Sequence, residues 1–184
     1  MMTQRGGVIP LVLCKRRYIV CTKDDEFDYQ VLHLTDVFYK EYTNPPYIEI
    51  LKKEKRSYNC LLIQSHYDYF ICIPYRTEVN HNYAYKFKRS KRSKKHKSGL
   101  DYTKIVIIAD SKFIESTTAK IDQDEYNETR DNINRIVQEA TDFVDDYVEL
   151  MNGKEIISSE EFKRRYQFSP LKYFHNELGI HNQK

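Results

Sequence analysis

Residues 58–74 read YNCLLIQSHYDYFICIP, with two apolar runs on either side of a polar segment. The runs at 58–64 and 69–74 consist mainly of apolar and β-favouring side chains, and the four residues 65–68 separate them. Two such runs joined by a short loop predict an antiparallel β-hairpin. The sequence IVIIA at residues 105–109 predicts a third strand. We expect this strand to be central in its sheet, because it is apolar on both faces.

Most helical patterns follow these strands in the chain. Thr35 or Asp36 can cap a short helix that the next prolines end. Apolar residues at spacings of three and four predict one long helix over residues 124–151. Two short helices are expected at 158–165 and 169–178, where serines stand at capping positions. Strands first and helices after predict an α+β domain whose antiparallel sheet is covered by the long helix.

The chain of 184 residues and 22.2 kDa is long enough for one compact domain and short for two. We assign residues 31–184 to this domain and residues 1–30 to an N-terminal extension. The longest apolar run near the start, residues 8–14, is far shorter than the roughly 20 residues of a membrane span. The four cysteines form no C-x-x-C pair. Reduced cysteines in a cytoplasmic protein are therefore expected, without a metal or another cofactor.

The net charge of +3 hides two opposed regions. Eight of the twelve residues 86–97 are Lys or Arg, whereas residues 110–161 hold 15 acidic and 5 basic residues. A cationic cluster in an otherwise acidic chain repels itself unless an anionic partner binds. We expect a cationic strand and loop that bind RNA, and an acidic helix that forms a solvated back face. The alternative for the basic run is a solvated loop without a partner.

Aromatic and basic residues alternate at the start of the basic region. In a strand, Tyr83, Tyr85 and Phe87 would share one face, and Lys86 and Lys88 would lie on the other. A groove for single-stranded RNA needs flat rings for the bases and cations for the phosphates. The residues predicted to bind RNA are Tyr83, Tyr85, Lys86, Lys88, Arg89, Lys91, Arg92, Lys94 and Lys95.

Four residues near this strand could cleave RNA without a metal. Attack by the internal 2′-hydroxyl needs a group that moves protons and cations that stabilise the phosphorane. His81 titrates near neutrality and suits the first role, while Arg76 and Arg56 suit the second. Thr77 could hold the scissile phosphate. Two alternatives stay open from the residues alone: a structural His81, and a two-metal nuclease that uses carboxylates of the long helix.

Three sequence blocks resemble a known family. The stretch IPYRT at 73–77 with HNY at 81–83 resembles the I/F-P-x-R-S/T-N-x-x-H block of the endoribonuclease toxins of type III toxin–antitoxin systems. Within that family it looks most similar to the TenpN and CptN branches, and less so to ToxN and AbiQ. The blocks GLDYTK at 99–104 and YQFSPLKYFHNELG at 166–179 agree in order and spacing. The resemblance covers roughly residues 31–180.

This resemblance implies a fold, an activity and a partner. The fold is a MazF/Kid-like barrel, a strongly bent antiparallel β-sheet surrounded by helices in a single domain. The activity is cleavage of single-stranded target RNA without metal or cofactor, which leaves a 2′,3′-cyclic phosphate. The partner is an RNA antitoxin, a small repeated pseudoknot RNA, in a ring-shaped protein–RNA assembly in the bacterial cytoplasm. The family's catalytic hydroxyl falls on Thr77, and its basic residue before the first hairpin strand falls on Arg56.

The sequence departs from the family pattern at two positions. Thr77 stands where many relatives have Ser, which keeps the hydroxyl. Glu78 stands where Asn or Pro is frequent, and its carboxylate would repel phosphate unless it pairs with Arg76. His175, in the third block, is interpreted as a structural residue.

Two other functions fit the same residues. One is a non-catalytic RNA-binding module that uses the same basic strand, with binding that weakens as the salt concentration rises. The other is a factor that acts on DNA. Cleavage of RNA would exclude the non-catalytic module. A preference for single-stranded RNA over duplex DNA would exclude the DNA-directed factor.

Overall fold

The computed structural model describes residues 29–51, 59–65, 67–154 and 157–180, which form seven strands and five α-helices. The strands are β1 (Tyr29–Leu34), β2 (Asn59–Gln64), β3 (Phe70–Arg76), β4 (Ala84–Lys86), β5 (Gly99–Asp101), β6 (Val106–Ile108) and β7 (Ile114–Thr118). The helices are α1 (Asp36–Glu41), α2 (Lys91–His96), α3 (Gln123–Asp131), α4 (Ile133–Met151) and α5 (Ser159–Tyr166). Short 3-10 helices occupy Tyr102–Lys104, Ser111–Phe113 and Pro170–Tyr173. Most of the predicted N-terminal extension lies outside the described residues.

The strands form one antiparallel sheet in the order β4-β5-β3-β2-β1-β7, with β6 also paired to β3. The predicted hairpin is confirmed, because β2 and β3 pair from Cys60 opposite Pro74 to Gln64 opposite Phe70. The prediction of an α+β domain is confirmed as well. The described strands do not close into a barrel, since β4 and β7 end the hydrogen-bonded path.

One edge of β3 is paired twice along its length. β5 pairs with its end, where Tyr75 lies opposite Leu100, and β6 pairs with its beginning, where Cys72 lies opposite Val106. The 3-10 helix Tyr102–Lys104 separates these two strands, so β5 and β6 resemble one strand interrupted by a turn. β6 is buried on both faces, as predicted. Among the described strands, however, it pairs only with β3, so its predicted central position is wrong.

The single helix predicted over residues 124–151 is two helices, α3 and α4, which meet at Asn132. The Asn132 side chain donates to the main-chain oxygen of Glu128 at 2.9 Å, and such local bonds compete with the helical backbone. α4 buries the predicted apolar stripe against the core: Ile136, Val137, Ala140, Phe143, Val144 and Tyr147. α3 instead buries two carboxylates, those of Glu125 and Glu128.

The shorter helices follow their capping residues. α1 begins after Thr35 and α5 after Ser158, and both hydroxyls accept from the first turn, as predicted. The helix expected at 169–178 is only the 3-10 helix Pro170–Tyr173. The basic run, which is expected to be a strand and loop, forms helix α2 instead. No helix in the described ranges is both long and apolar enough to cross a membrane.

Candidate functional site

The centre of the candidate site is Asp101, a fully buried carboxylate at the end of β5. Its Oδ1 accepts from the backbone N–H of Thr103 at 3.0 Å and from the Thr103 hydroxyl at 2.6 Å. Its Oδ2 is paired with Arg76 Nη1. The Nε2 atom of His81 lies 3.2 Å from Oδ1. A buried charge needs such partners, and here they include two of the four residues predicted to be catalytic.

The local backbone explains why these residues meet. Asp101 caps the 3-10 helix Tyr102–Lys104, which interrupts the strand pairing beside β3. Gly99 lies opposite both Arg76 on β3 and Lys86 on β4. A Cβ atom at Gly99 would lie 2.5 Å from the carbonyl oxygen of Tyr85, so only glycine allows this close approach of β4 and β5.

Lys104 adds a second cation beside the Arg76–Asp101 pair. Its Nζ donates to the carbonyl oxygen of Phe168 at 2.5 Å. Burial lowers the pKa of Lys104; the charge of Asp101 opposes this shift, and that of Arg76 adds to it. A half-buried lysine with a lowered pKa next to a charged cluster is a frequent feature of functional sites.

His81 is oriented by Asp101, but its other ring nitrogen has no partner. Nδ1 is buried and makes no hydrogen bond within the described residues. Nε2 faces the carboxylate, so Nδ1 is the ring nitrogen that is left for another partner. Proton transfer between Nδ1 and an RNA would require rotation of the side chain.

Thr77 and Glu78 directly follow Arg76, the last residue of β3. Thr77 is half-buried next to Arg76 in the chain. Glu78 has a left-handed backbone with φ of 58°, held in place by a bond from its N–H to the carbonyl oxygen of His96 at 2.7 Å. Its exposed carboxylate lies 3.6 Å from Nδ1 of His96, whereas Arg76 pairs with Asp101. A strained non-glycine residue beside such a cluster marks a position that the surrounding structure enforces.

The cationic face predicted for β4 is continuous with this cluster. Residues opposite each other in antiparallel strands share a face, so Arg76, Gly99 and Lys86 lie in one row across three strands. Two strand spacings put the Cα atoms of Arg76 and Lys86 about 10 Å apart. Ala84 lies opposite Asp101 on the same face, and its short side chain leaves space above the sheet there.

The opposite, aromatic face of β4 belongs to the core. Tyr85 and Phe87 are buried; the Tyr85 hydroxyl donates to Glu128, and Phe87 stacks on Tyr75 with ring centroids 5.7 Å apart. Tyr83 is half-buried, and its hydroxyl donates to Glu161 at 3.0 Å. Protein covers most of the Tyr85 ring, although Tyr85 also lines a groove with Lys86 and Arg89, and its contact with RNA stays a prediction.

Two buried carboxylates of α3 hold the basic region in place. Glu128 accepts from the backbone N–H groups of Lys88 at 3.1 Å and Arg89 at 2.9 Å. Glu125 accepts from the hydroxyls of Ser90 and Ser98 and from Arg92 Nη1 at 2.9 Å. The expectation that the acidic segment is wholly a solvated back face is thus wrong for its first part. These two carboxylates face the basic region, but hydroxyl, backbone and guanidinium donors already occupy them.

The remaining cations divide into paired and exposed groups. Arg89 forms an ion pair with Asp131 in addition to its backbone bond. Lys91, Lys94 and Lys95 are exposed along α2. Lys86, Lys88 and Arg89 line a groove of about 390 Å³. The groove also includes Arg135 of α4, whose guanidinium lies 5.6 Å from the centre of the Tyr85 ring.

One of the four residues predicted to be catalytic lies outside the described residues, and the site contains residues that were not predicted. Arg56 lies outside the described residues. Asp101, Lys104 and Arg135 were not predicted as site residues, although the first two belong to the block at 99–104. A lone Asp within an otherwise apolar strand was the signal, because a buried carboxylate requires donors. No group of three or more His, Cys, Asp or Glu is arranged for a metal ion in the described part of the chain.

His175 lies away from this cluster and has a structural contact. Its Nε2 is 2.8 Å from the hydroxyl of Tyr147 on α4, and burial lowers the pKa of the imidazole. This arrangement confirms its interpretation as a structural residue. Comparison with known proteins adds no relative: no protein-family model, no curated protein and no solved structure matches the chain.

Proposed function

We propose that the protein is an endoribonuclease that cleaves single-stranded RNA without a metal ion. The observation that supports this most directly is the convergence of Arg76 and His81, a phosphate-binding cation and an imidazole, on the buried carboxylate of Asp101. The same sheet face continues to Lys86. A reacting phosphate at Arg76 would thus lie beside further cations for the rest of the RNA.

In the proposed reaction the 2′-oxygen of one nucleotide bonds to the adjacent phosphorus, and the bond from phosphorus to the next 5′-oxygen breaks. The 2′-hydroxyl proton passes to a base, and the departing 5′-oxygen receives a proton. The upstream product ends in a 2′,3′-cyclic phosphate. Arg76 contacts the non-bridging oxygens of the phosphorane, and Lys104 supplies further positive charge nearby.

The other residues have distinct roles in this proposal. His81 transfers protons after its ring moves to expose a nitrogen. Asp101 positions Arg76 and His81 rather than touching the RNA, because its carboxylate is fully buried. Thr77 holds the scissile phosphate with its hydroxyl. Arg56, which lies outside the described residues, keeps its role as a second clamp from the sequence and the family resemblance.

The resemblance of the three sequence blocks supports a wider proposal. The nuclease is the toxin of a type III toxin–antitoxin system, inhibited by a small repeated pseudoknot RNA within a ring-shaped assembly. The antiparallel sheet would then be related to the strongly bent sheet of MazF/Kid-type toxins. Tandem short repeats followed by a terminator, immediately upstream of the reading frame, are expected. Co-expression of that repeat RNA should restore growth.

Induced expression in bacteria tests the catalytic part of the proposal. The wild-type chain should stop growth and fragment cellular RNA. Thr77→Ala and His81→Ala should abolish both effects while accumulating as folded protein. Matched controls are Thr117→Ala and His96→Ala, which change exposed residues of β7 and α2.

The outcomes separate the candidate functions. Toxicity that persists in Thr77→Ala would remove that hydroxyl from catalysis. RNA that stays intact while the wild-type chain binds it would favour the non-catalytic RNA-binding module. Loss of toxicity in the two control variants would show that the assay reports folding rather than chemistry.

A further inference from the structure

An exposed aromatic ring lies on the segment whose backbone binds Lys104. Phe168 has 62% of its surface exposed, and its carbonyl oxygen accepts from Lys104 Nζ at 2.5 Å. Lys104 is the last residue of the 3-10 helix that Asp101 caps, so it lies one turn from the Asp101 cluster. The backbone of Phe168 is therefore tied to the cation that flanks the site proposed for the scissile phosphate.

The backbone on both sides of Phe168 is well anchored. Tyr166 is buried, and its hydroxyl donates to the carbonyl oxygen of Phe143 on α4. The N–H of Ser169 donates to the carbonyl oxygen of Tyr166 at 2.9 Å, and Ser169 and Pro170 are buried. The chain thus buries Tyr166, Ser169 and Pro170 and leaves Gln167 and Phe168 exposed. Because this backbone is anchored, less of it has to become ordered when a ligand covers the Phe168 ring.

The rings predicted to contact RNA bases are otherwise engaged. Tyr85 and Phe87 are in the core, and the Tyr83 hydroxyl binds Glu161. Another highly exposed aromatic ring, Tyr67, lies at the turn between β2 and β3. That turn is at the opposite end of β3 from Arg76, about 20 Å away at the usual rise of a strand. Tyr126 of α3 is exposed as well, but among the exposed rings of the described residues Phe168 is the one whose backbone binds Lys104.

We propose that Phe168 is a base-stacking platform for single-stranded RNA, which holds the base of a nucleotide whose phosphate lies between Arg76 and Lys104. This inference rests on the proposed function, because it needs RNA at the Asp101 cluster. Stacking on an aromatic side chain adds affinity with little dependence on the sequence of bases. Cations fix the backbone and Phe168 fixes a base, so the nucleotide is held at two points.

The absence of tryptophan from the sequence allows a direct test. In the full chain, Phe168→Trp introduces a single tryptophan, and Tyr67→Trp introduces one at a ring that is 61% exposed. The probe is a short single-stranded oligonucleotide of 2′-O-methyl ribonucleotides with mixed sequence, which 2′-hydroxyl attack cannot cleave. Binding should quench the fluorescence of Phe168→Trp and leave that of Tyr67→Trp unchanged.

Affinity measurements complete the test. Phe168→Ala and Phe168→Leu should weaken oligonucleotide binding by about 5- to 100-fold, since both lack a flat ring. Tyr67→Ala should bind like the wild type. Inorganic polyphosphate, which has no bases, should bind the wild type and Phe168→Ala equally.

Three results would overturn the inference. Full affinity of Phe168→Leu would show that apolar contact suffices without stacking. Equal losses for oligonucleotide and polyphosphate in Phe168→Ala would show that the residue only supports the phosphate site. A wild-type chain that binds no single-stranded RNA would overturn both this inference and the proposed function, whereas the first two results leave the proposed function intact.

Discussion

Asp101→Asn is the most informative single change, because it keeps the size of the side chain and removes its charge. The amide oxygen can still accept from the N–H and hydroxyl of Thr103, but an NH2 group then faces the guanidinium of Arg76. A hydrogen bond to a charged group contributes about 1.5–3 kcal/mol. The Arg76 side chain is 30% exposed, so water replaces part of the lost interaction. We expect a loss of about 2 kcal/mol in the free energy of unfolding.

Urea unfolding followed by circular dichroism measures this loss. With a slope of about 1–3 kcal/mol per molar urea, the midpoint should fall by about 1 M without a change of slope. Asp110→Asn is the matched control, because Asp110 also caps a 3-10 helix and pairs with a cation, Lys112, but is exposed. Its midpoint should stay close to that of the wild type. A shift for Asp101→Asn no larger than that of the control would refute the role of the buried carboxylate as an anchor.

Three further changes test other parts of the molecule. Glu125→Gln removes the buried charge that holds α2, so stability should fall by about 2 kcal/mol in urea unfolding, and the α2 amides should exchange hydrogen faster. Burial lowers the pKa of His175, so the unfolded chain binds a proton that the folded chain does not. The free energy of unfolding of the wild-type protein should therefore fall as the pH decreases below about 6.5. In His175→Gln this decrease should be smaller. Lys86→Ala should lower the salt slope of RNA binding by about one, and Lys40→Ala should not.

Each of these predictions has a result that contradicts it. Unchanged exchange of the α2 amides in Glu125→Gln, or an equal effect of Glu149→Gln on the exposed side of α4, would show that the buried carboxylate does not hold the basic helix. Identical pH dependence of stability in the wild type and His175→Gln would contradict the burial of that imidazole. Equal salt slopes for Lys86→Ala and the wild type would place the RNA elsewhere.

Elements with local signals were predictable from the sequence. The hairpin of β2 and β3 follows from two β-favouring runs and a short loop, and Thr35 and Ser158 mark their helices because capping depends on neighbouring residues. The alternation of aromatic and basic residues in β4 correctly predicted a strand with an aromatic face and a partly cationic face. It could not tell which face other elements cover, since that depends on α3, about 40 residues away in the chain.

Features that depend on distant partners were not predictable. The basic run of α2 has no apolar stripe, and its helix is held by the Ser90 cap and by Glu125, 35 residues further along the chain. The break at Asn132 is a local competition that the apolar spacing across it conceals. Asp101 was missed because its importance comes from burial, which brings Arg76 and His81 to it from other segments.

The end groups of cleaved RNA show whether the 2′-hydroxyl or water attacks the phosphate. The purified full chain is incubated with single-stranded RNA in excess chelator, beside Thr77→Ala, and the fragments are analysed by mass spectrometry. The proposed reaction predicts fragments that end in a 2′,3′-cyclic phosphate and begin with a 5′-hydroxyl, and no fragments from Thr77→Ala. Intact RNA with the wild-type chain, or fragments that carry a 5′-phosphate and a 3′-hydroxyl, would contradict the account.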